Sequence, residues 1–347
     1  MGRVTIRDVA RLAGVSPSTV SRVLNGKDAG HMRPETKERV LAAIKALDYT
    51  PAKAARTLRK KKTGVIAILL PDISNPFFSL LARGVAAVAF EHGLSTLICD
   101  SDNSLDKENR YWDLLRAEGV DGVVFVPVGQ PDEAKAHRLR RRGVNIVVAD
   151  RRVEGYPTVE ADNRTGSAAL ASYLLSLGYR KIAYLAGPPD VSSAADRLEG
   201  FLGALREEGV EPLAVLHGDF TYRSGYALAR ELFSRHQDVE AIVAANDLMA
   251  IGALRAAEDV DISVPDRVGI AGFDHVLPAD LVRPRLTTVA VPAYEMGEEA
   301  MRQLLRGDER AGRRVLPVEL IPGESTPPRG GDSSGETGVR KRVRDKP

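Results

Sequence analysis

The 347-residue sequence contains a single cysteine, Cys99, and its longest apolar runs, such as Gly64–Pro71, are far shorter than a membrane span. One cysteine cannot form a disulfide within the chain. The segment Met1–Ala13 alternates charged and apolar residues and has no apolar core of a secretory signal. We therefore expect a cytoplasmic protein that makes no membrane contact.

The sequence also lacks the signatures of common enzymes. It contains no P-loop, no GxGxxG after a strand, no GxSxG and no HExxH. The six histidines are scattered, and Cys99 lies in an apolar segment that is typical of a structural residue. His275 follows Asp274 and is placed to touch a ligand, but nothing near it in the sequence favours a catalytic base. We therefore expect no enzymatic activity, no cofactor and no metal ion.

Charge is distributed unevenly, although the net charge is only +2. Residues 1–62 contain 15 Lys and Arg but 5 Asp and Glu, whereas the rest of the chain contains 34 basic and 42 acidic residues. A basic head on an acidic body is typical of a nucleic-acid-binding protein. A basic, solvated arm is the alternative that charge alone leaves open.

Three amphipathic patterns predict three helices in the first 50 residues. The first covers Ile6–Ala13, where Thr5 and Asp8 form a capping-box-like start and Gly14 supplies the tight turn that follows. Ser16 caps the next helix. The second and third helices start at Pro17 and Pro34, with buried faces at Val20, Val23 and Leu24 and at Val40, Ala43, Ile44 and Leu47. This order and the tight turn predict a helix-turn-helix.

The second helix exposes short or hydrogen-bonding side chains and no acidic residue. Such a face can reach base edges in the major groove of DNA, and Arg22 is the candidate guanine reader. Neighbouring polar residues are placed for phosphates, which orient the protein without specifying sequence. A purely structural three-helix bundle is the alternative. The predicted DNA contacts in the head are Thr5, Ser16, Pro17, Ser18, Thr19, Ser21, Arg22 and Asn25.

From Gly64 onward, apolar strands alternate with helices at intervals of 23 to 33 residues. Each interval fits one βα unit of a parallel sheet. The pattern predicts an α/β body of two doubly wound parallel-sheet lobes, each with a crevice at the carboxyl ends of its strands. The strands are expected to start near Gly64, Ser95, Gly122 and Asn145 and near Lys181, Ala214, Ala241 and Val268.

Changes in composition suggest the domain boundaries. The predicted units are a helix-turn-helix domain over 1–50, a basic linker over 51–62, a two-lobed body over 63–324 and a disordered tail over 325–347. Within the body, the first lobe is expected to comprise about 63–162 with 292–320, and the second lobe about 163–290.

Polar and aromatic side chains follow several of the predicted strands. Carboxylates, amides and an arginine can hydrogen-bond the hydroxyls of a sugar, and aromatic faces can cover its apolar C–H surface. Taken singly, an aspartate after a strand is more often a cap or turn former, and this reading stays open for Asp162, Asp219 and Asp247. The predicted effector contacts are Asp72, Asn75, Phe77, Phe78, Asp150, Arg151, Asp162, Arg197, Phe220, Asn246 and Asp274.

Four segments form a long and specific motif. They are Thr5–Ala10 (TIRDVA), Gly14–Asn25 (GVSPSTVSRVLN), Arg33–Val40 (RPETKERV) and Tyr49–Leu58 (YTPAKAARTL). Together they resemble the head of the lactose-repressor (LacI/GalR) family of transcription regulators. The resemblance continues through the body to about Glu324.

The resemblance implies that the segment matching Pro51–Leu58 is a hinge helix that orders on DNA. Leu58 stands where the family has a leucine that wedges into the minor groove, and Ala54 and Ala55 are expected as further DNA contacts. An apolar residue in a basic, marginal helix also suits the unstacking of a base step. Packing of Leu58 on the body is the alternative. Two hinges require two subunits, so the resemblance implies a homodimer on a pseudo-palindromic operator. It likewise implies a hinge helix or linker over 51–62 and an effector-binding and dimerisation domain over 63–324.

The body resembles both this family and ribose-type periplasmic binding proteins. This resemblance implies that a sugar is bound by the residues matching Phe78, Asp150, Arg151, Arg197, Phe220, Asn246 and Asp274. Val291 departs from the glutamine that members often carry, which favours a ligand that differs from a simple ribose-like sugar.

The predicted function is that of an effector-responsive, sequence-specific DNA-binding regulator, with a repressor favoured. Its partners would be operator DNA, a second copy of the chain and a sugar or related polyol. A sugar-binding transport component is one alternative, which the basic head and the missing signal segment oppose. A sugar- or nucleoside-processing enzyme is the other, which the missing catalytic residues oppose.

Overall fold

A computed structural model describes residues 4–24, 32–49, 63–129, 140–141, 143–307 and 312–329. The chain divides into two compact units, Met1–Thr63 and Gly64–Pro347. Each unit has its own hydrophobic core. None of the described helices is both long enough and apolar enough to cross a membrane.

The first unit contains the three predicted helices, α1 (Ile6–Ala13), α2 (Pro17–Leu24) and α3 (Pro34–Ala46). The turn after α1 is made by Gly14, whose φ of 63° is a left-handed conformation that glycine adopts without steric cost. Small and β-branched side chains fill the space between the helices. The buried residues are Val9, Ala10, Ala13, Val20, Val23, Val40 and Ala43, with Leu24, Ile44 and Leu47 partly buried beside them.

The second unit alternates strands and helices along most of its length. Its strands are β1 (Val65–Leu70), β2 (Ser95–Asp100), β3 (Gly122–Phe125), β4 (Asn145–Ala149), β5 (Thr158–Ala161), β6 (Ile182–Ala186), β7 (Ala214–His217), β8 (Ala241–Ala244), β9 (Gly269–Ala271), β10 (Thr288–Ala290), β11 (Arg313–Leu316) and β12 (Glu319–Ile321). Its described helices are α4 (Pro76–Glu91), α5 (Leu105–Glu118), α6 (Asn163–Ser176), α7 (Ser192–Glu207), α8 (Tyr222–Arg235), α9 (Asp247–Asp259), α10 (Leu277–Leu281) and α11 (Ala293–Arg306).

Two parallel sheets define two lobes. The first sheet has the order β11-β5-β4-β3-β1-β2, and the second has the order β7-β6-β8-β9. In each sheet the chain starts at an interior strand, adds a strand on one side and then continues on the other, so the predicted doubly wound fold is confirmed. All eight predicted strands are present, each starting within one residue of its expected position.

Four strands escape prediction because none has a clear apolar pattern. β11 begins with two exposed arginines, and β5 carries the charged Glu160 in its middle. β10 and β12 have three residues each and pair with each other in antiparallel fashion. Such short or charged segments give too few positions for a period of two to emerge.

The chain returns to the first lobe through α11, which packs closely on α4. A Cβ atom at Gly84 would lie 2.0 Å from the carbonyl oxygen of Tyr294, and one at Gly297 would lie 2.0 Å from that of Leu81. Only glycine permits such an approach. β11 then extends the first sheet by pairing with β5. A segment distant in sequence therefore completes the first lobe.

The start of the predicted disordered tail needs correction. Ser325 and Thr326 are buried, and the Ser325 hydroxyl donates to the Ile270 carbonyl at 2.5 Å. The Thr326 hydroxyl lies 2.6 Å from that of Thr287. These two polar side chains fasten the chain to the second lobe, so the prediction of disorder is wrong for 325–329. The rest of the tail lies outside the described residues.

Candidate functional site

The predicted DNA-reading face lies on α2 in the first unit. The helix buries Val20 and Val23, and its other side holds no acidic residue. Arg22 points to solvent, and the remaining predicted contacts of the helix surround it. Ser16, Pro17, Ser18 and Arg22 are exposed, while Thr19 and Ser21 are half-buried. The face can therefore offer one cation and several hydroxyls to the groove of a duplex.

Two of these residues also cap helices. The Thr5 N–H donates to the Asp8 carboxylate at 2.9 Å, as the capping-box pattern predicts, and the Thr5 hydroxyl donates to the same carboxylate at 2.6 Å. The Ser16 hydroxyl oxygen accepts the N–H of Thr19 at 3.2 Å. The other predicted DNA contacts, Asn25, Ala54, Ala55 and Leu58, lie outside the described residues.

A cleft opens at the carboxyl ends of the strands of both lobes. Ten of the eleven predicted effector contacts line it. From the first lobe come Asp72, Asn75, Phe77, Phe78, Asp150 and Arg151, and from the second come Arg197, Phe220, Asn246 and Asp274. Parallel strands deliver their carboxyl ends to one edge of a sheet, so residues far apart in the chain meet there.

Arg197 is the most firmly held polar side chain of the cleft. Its Nε donates to the Asn163 side-chain oxygen at 2.8 Å and its Nη1 to the Ala245 carbonyl at 2.7 Å. Its Nη2 lies 2.9 Å from Asp274 Oδ1. The guanidinium also stacks 4.0 Å from the ring centre of Phe273. Because the side chain is only 3% exposed, these partners replace its hydration shell.

Asp150 and Arg151 form the corresponding pair in the first lobe. Both are buried, and Arg151 Nε lies 3.5 Å from Asp150 Oδ2. Arg151 Nη1 donates to the Pro127 carbonyl, and the guanidinium lies 5.8 Å from the ring centre of Phe78. Asp150 Oδ1 has no hydrogen-bond partner among the described residues. A bound hydroxyl could supply the donor that this oxygen lacks.

The two lobes place carboxylates near one another across the cleft. Burial raises the pKa of Asp274 to about 7, with Arg197 opposing the rise and the like charge of Asp150 adding to it. Carboxylates in such a setting favour ligands that donate hydrogen bonds over ligands that bring further negative charge.

Strained backbone is concentrated at this cleft. Among the described residues other than glycine, eight have a positive φ, and the four of these that line the cleft are Asn103, Asp150, Phe220 and Asp274. Asp274 has a φ of 104°, held by its N–H bond to the Val289 carbonyl at 2.8 Å. Such conformations cost about 1–3 kcal/mol each and persist where the surroundings enforce them.

The remaining aspartates separate into caps and cleft residues. Asp162 does not reach the cleft: its Oδ1 accepts the N–H of Thr165 at 3.2 Å and caps α6, which corrects its prediction as an effector contact. Asp247 is fully buried and accepts hydrogen bonds from Thr288 and Val276. Asp219 accepts the N–H of the following turn and also lines the cleft.

Besides Asp219, which was weighed as a cap, the sequence analysis missed three residues of the cleft. Asn103 follows β2, Thr221 follows β7, and Ser193 lies in the first turn of α7 after β6. The rule that ligands bind beyond strand ends could have found Asn103 and Thr221. Val291, where the family often has glutamine, is buried and is absent from the cleft lining. The described residues hold no cluster of His, Cys, Asp and Glu suited to a metal ion.

Comparison with known families assigns both units. Residues 5–52 match the model for "Bacterial regulatory proteins, lacI family", and residues 63–321 match "Periplasmic binding proteins and sugar binding domain of LacI family". The fold and site thus define a helix-turn-helix head on a periplasmic-binding-protein-like body. The chain belongs to the LacI family and is a DNA-binding transcription regulator.

Individual relatives agree with this assignment. A ribose operon repressor of Halalkalibacterium halodurans is 37% identical over 335 residues, covering 95% of this chain and 98% of the relative. A lac repressor dimer bound to operator and the anti-inducer ONPF superimposes with a TM-score of 0.83 at 27% identity, covering 94% of this chain and 100% of that one. A complex of the transcriptional regulator CelR with cellobiose superimposes with a TM-score of 0.70 at 33% identity, covering 93% of this chain and 100% of that one.

Proposed function

We propose that the chain is an effector-controlled repressor, in which α2 reads an operator and the cleft binds a small hydroxyl-rich ligand. The observation that carries this proposal is the convergence of buried Asp–Arg pairs from both lobes on one cleft, beside Phe78 and Phe220. Carboxylates and guanidinium groups can bind adjacent hydroxyls, and phenyl faces can cover the C–H surface of a ring.

A sugar or related polyol is the ligand class that this chemistry favours. Relatives support it, since one is named for ribose and a structural neighbour is a cellobiose complex. The residues proposed as effector contacts are the ten predicted ones that line the cleft, together with Asn103, Ser193, Asp219 and Thr221.

The ligand would act by joining the two lobes. A molecule that contacts Asp150 in the first lobe and Asp274 in the second favours whichever lobe arrangement lets it reach both. We propose that this arrangement changes how the hinge over 51–62, with Ala54, Ala55 and Leu58, engages the operator centre. The working unit would be a homodimer in the cytoplasm, as in the operator-bound lac repressor dimer.

The experiment that tests the proposal is a gel shift with DNA from upstream of the chain's own coding region. A panel of pentoses, hexoses, disaccharides and nucleosides is added to the bound complex. We expect one ligand class to change the DNA affinity. The variant Asp274→Ala should bind the operator and ignore every ligand.

A matched variant in the head separates the two sites. Arg22→Ala should lose about 1–3 kcal/mol of operator preference while the ligand still binds, because a bidentate guanine contact is removed. Equal losses on operator and random DNA would reassign Arg22 to a phosphate. A loss of all DNA binding in Asp274→Ala would make Asp274 a structural residue and contradict its proposed role.

A further inference from the structure

Glu108 is a fully buried carboxylate in α5 that does not line the cleft. Its Oε2 accepts the N–H of Val128 at 2.7 Å. The same peptide group presents the carbonyl of Pro127, which accepts a hydrogen bond from Arg151 Nη1. The peptide group between Pro127 and Val128, which follows β3, is therefore bonded at both ends: its N–H donates to the Glu108 carboxylate, and its carbonyl accepts from the Arg151 guanidinium.

Packing alone gives no reason for a carboxylate at this position. Burying a charge is costly, and the second oxygen of Glu108 has no hydrogen-bond partner among the described residues. Burial raises the pKa of Glu108 to about 7, opposed by the Val128 N–H and the positive charge of Arg151. Arg151 in turn faces Asp150 and Arg197 as its other charged neighbours. Glu108 thus acts electrostatically on one cleft residue.

We propose that Glu108 is a positioning residue of the cleft, which fixes and charge-balances Arg151 through the peptide group between Pro127 and Val128. A peptide hydrogen-bonded to a carboxylate at its N–H is polarised, so its carbonyl is a stronger acceptor for the guanidinium. Arg151 is then held in one direction while its remaining donors face the ligand. Only this last step rests on the proposed function, because the coupling itself needs no effector.

The coupling predicts a pH response of the cleft. Above neutral pH, the Glu108 carboxylate balances Arg151 and holds the peptide firmly. When pH falls through about 7, proton uptake by Glu108 removes that charge and weakens the chain of hydrogen bonds. By reciprocity, the charge of Arg151 must shift proton binding at Glu108 by the same free energy.

The only tryptophan of the chain provides a native probe. Trp112 lies one helical turn beyond Glu108 on the same buried face of α5. Its fluorescence in the full-length protein should show a transition near pH 7, which Glu108→Gln removes. The exposed Glu118 of the same helix gives the matched control, and Glu118→Gln should keep the transition.

Replacement of the arginine is the decisive measurement. Arg151→Met should raise the midpoint by about one pH unit, because a nearby cation no longer stabilises the carboxylate. The pH midpoint of Arg151→Lys should stay close to that of the wild-type protein. If Arg151→Met does not fold, Arg151→Gln is measured in its place. An unchanged midpoint without the positive charge, or a transition that survives Glu108→Gln, would overturn the proposal. If the midpoint shifts in Arg151→Met but no sugar changes the DNA affinity, the coupling of Glu108 to Arg151 stands and only the proposed effector is contradicted.

Discussion

The two lobes each contribute one arginine to the cleft, and the two arginines are held very differently. Arg197 in the second lobe has a hydrogen bond on Nε, one on Nη1, an ion pair on Nη2 and a stacked ring. Arg151 in the first lobe has one hydrogen bond to a carbonyl, and its Nε lies 3.5 Å from its carboxylate neighbour. Each guanidinium nitrogen of Arg197 therefore has a partner, whereas Arg151 Nε has no hydrogen-bond partner among the described residues.

The difference suggests a division of roles. A buried charge that is fully paired before binding costs nothing to reorganise when a ligand arrives. A buried charge with spare donors gains most from a ligand that supplies acceptors. Arg197 should therefore matter first for the stability of the fold, and Arg151 first for recognition.

The largest expected effect is on Arg197. Arg197→Met leaves Asp274 buried without its cation, so the free energy of unfolding should fall by about 3–5 kcal/mol. Urea denaturation measures this loss. Arg164→Met is the control on the same lobe, because its pair with Glu199 is more than half exposed and should be worth less than about 1 kcal/mol. Equal losses in the two variants would refute the structural role of Arg197.

Replacement of Arg151 is expected to reduce stability less than replacement of Arg197 but to abolish the effector response. Arg151→Met removes one hydrogen bond to a buried carbonyl and the positive charge that faces Asp150 and Glu108. Because Arg151 Nε lies 3.5 Å from the Asp150 carboxylate, farther than the 2.9 Å between Arg197 and its carboxylate, the loss in the free energy of unfolding should be smaller, about 1–3 kcal/mol. The effector response in the gel shift should nevertheless disappear. If this variant loses as much stability as Arg197→Met, the two lobes do not differ in the way the geometry indicates.

The sequence allowed much of this cleft to be predicted, because strand ends are visible in apolar runs. Asp150 directly after β4 and Asn246 two residues after the end of β8 follow from that rule. Arg197 was predicted both as a residue near a strand end and from the family resemblance, and it lies inside α7. The prediction for Asp162 was wrong for a physical reason. An aspartate directly after a strand can serve either as a helix cap or as a ligand contact, and the sequence does not distinguish the two.

Other features depend on contacts between distant segments and leave no local pattern. The peptide group shared by Glu108 and Arg151 joins α5 to the end of β4, and nothing in the spacing of these residues reveals it. Ser325 belongs to a segment whose composition is typical of a disordered tail. Its hydroxyl nevertheless donates a hydrogen bond to the carbonyl of Ile270 in β9. Prediction of the hinge at Leu58 stays untested, because it lies outside the described residues.

The facing carboxylates of the two lobes predict a pH dependence of intermediate size. The pKa of Asp274 is raised from 3.8 to about 7, so the folded state keeps a proton that the unfolded state has released. The stability gained in this way is present at low pH and is lost as pH rises through 7. Between pH 6 and pH 8, the free energy of unfolding should therefore fall by about 1.4 kcal/mol less in Asp274→Asn than in the wild-type protein. Identical urea curves at the two pH values in both proteins would count against the raised pKa.

The smallest expected effect is at Asp162, where the chain passes from the first lobe to the second. Its carboxylate accepts the N–H of Thr165, so Asp162→Ala should cost about 1 kcal/mol of stability through the lost cap of α6. Asp162→Asn keeps an acceptor and should stay near wild type. Because Asp162 does not line the cleft, both variants should keep the full effector response in the gel shift. A variant that unfolds normally but no longer responds would make Asp162 part of the coupling between lobes, and the cleft would then extend beyond the two arginine pairs.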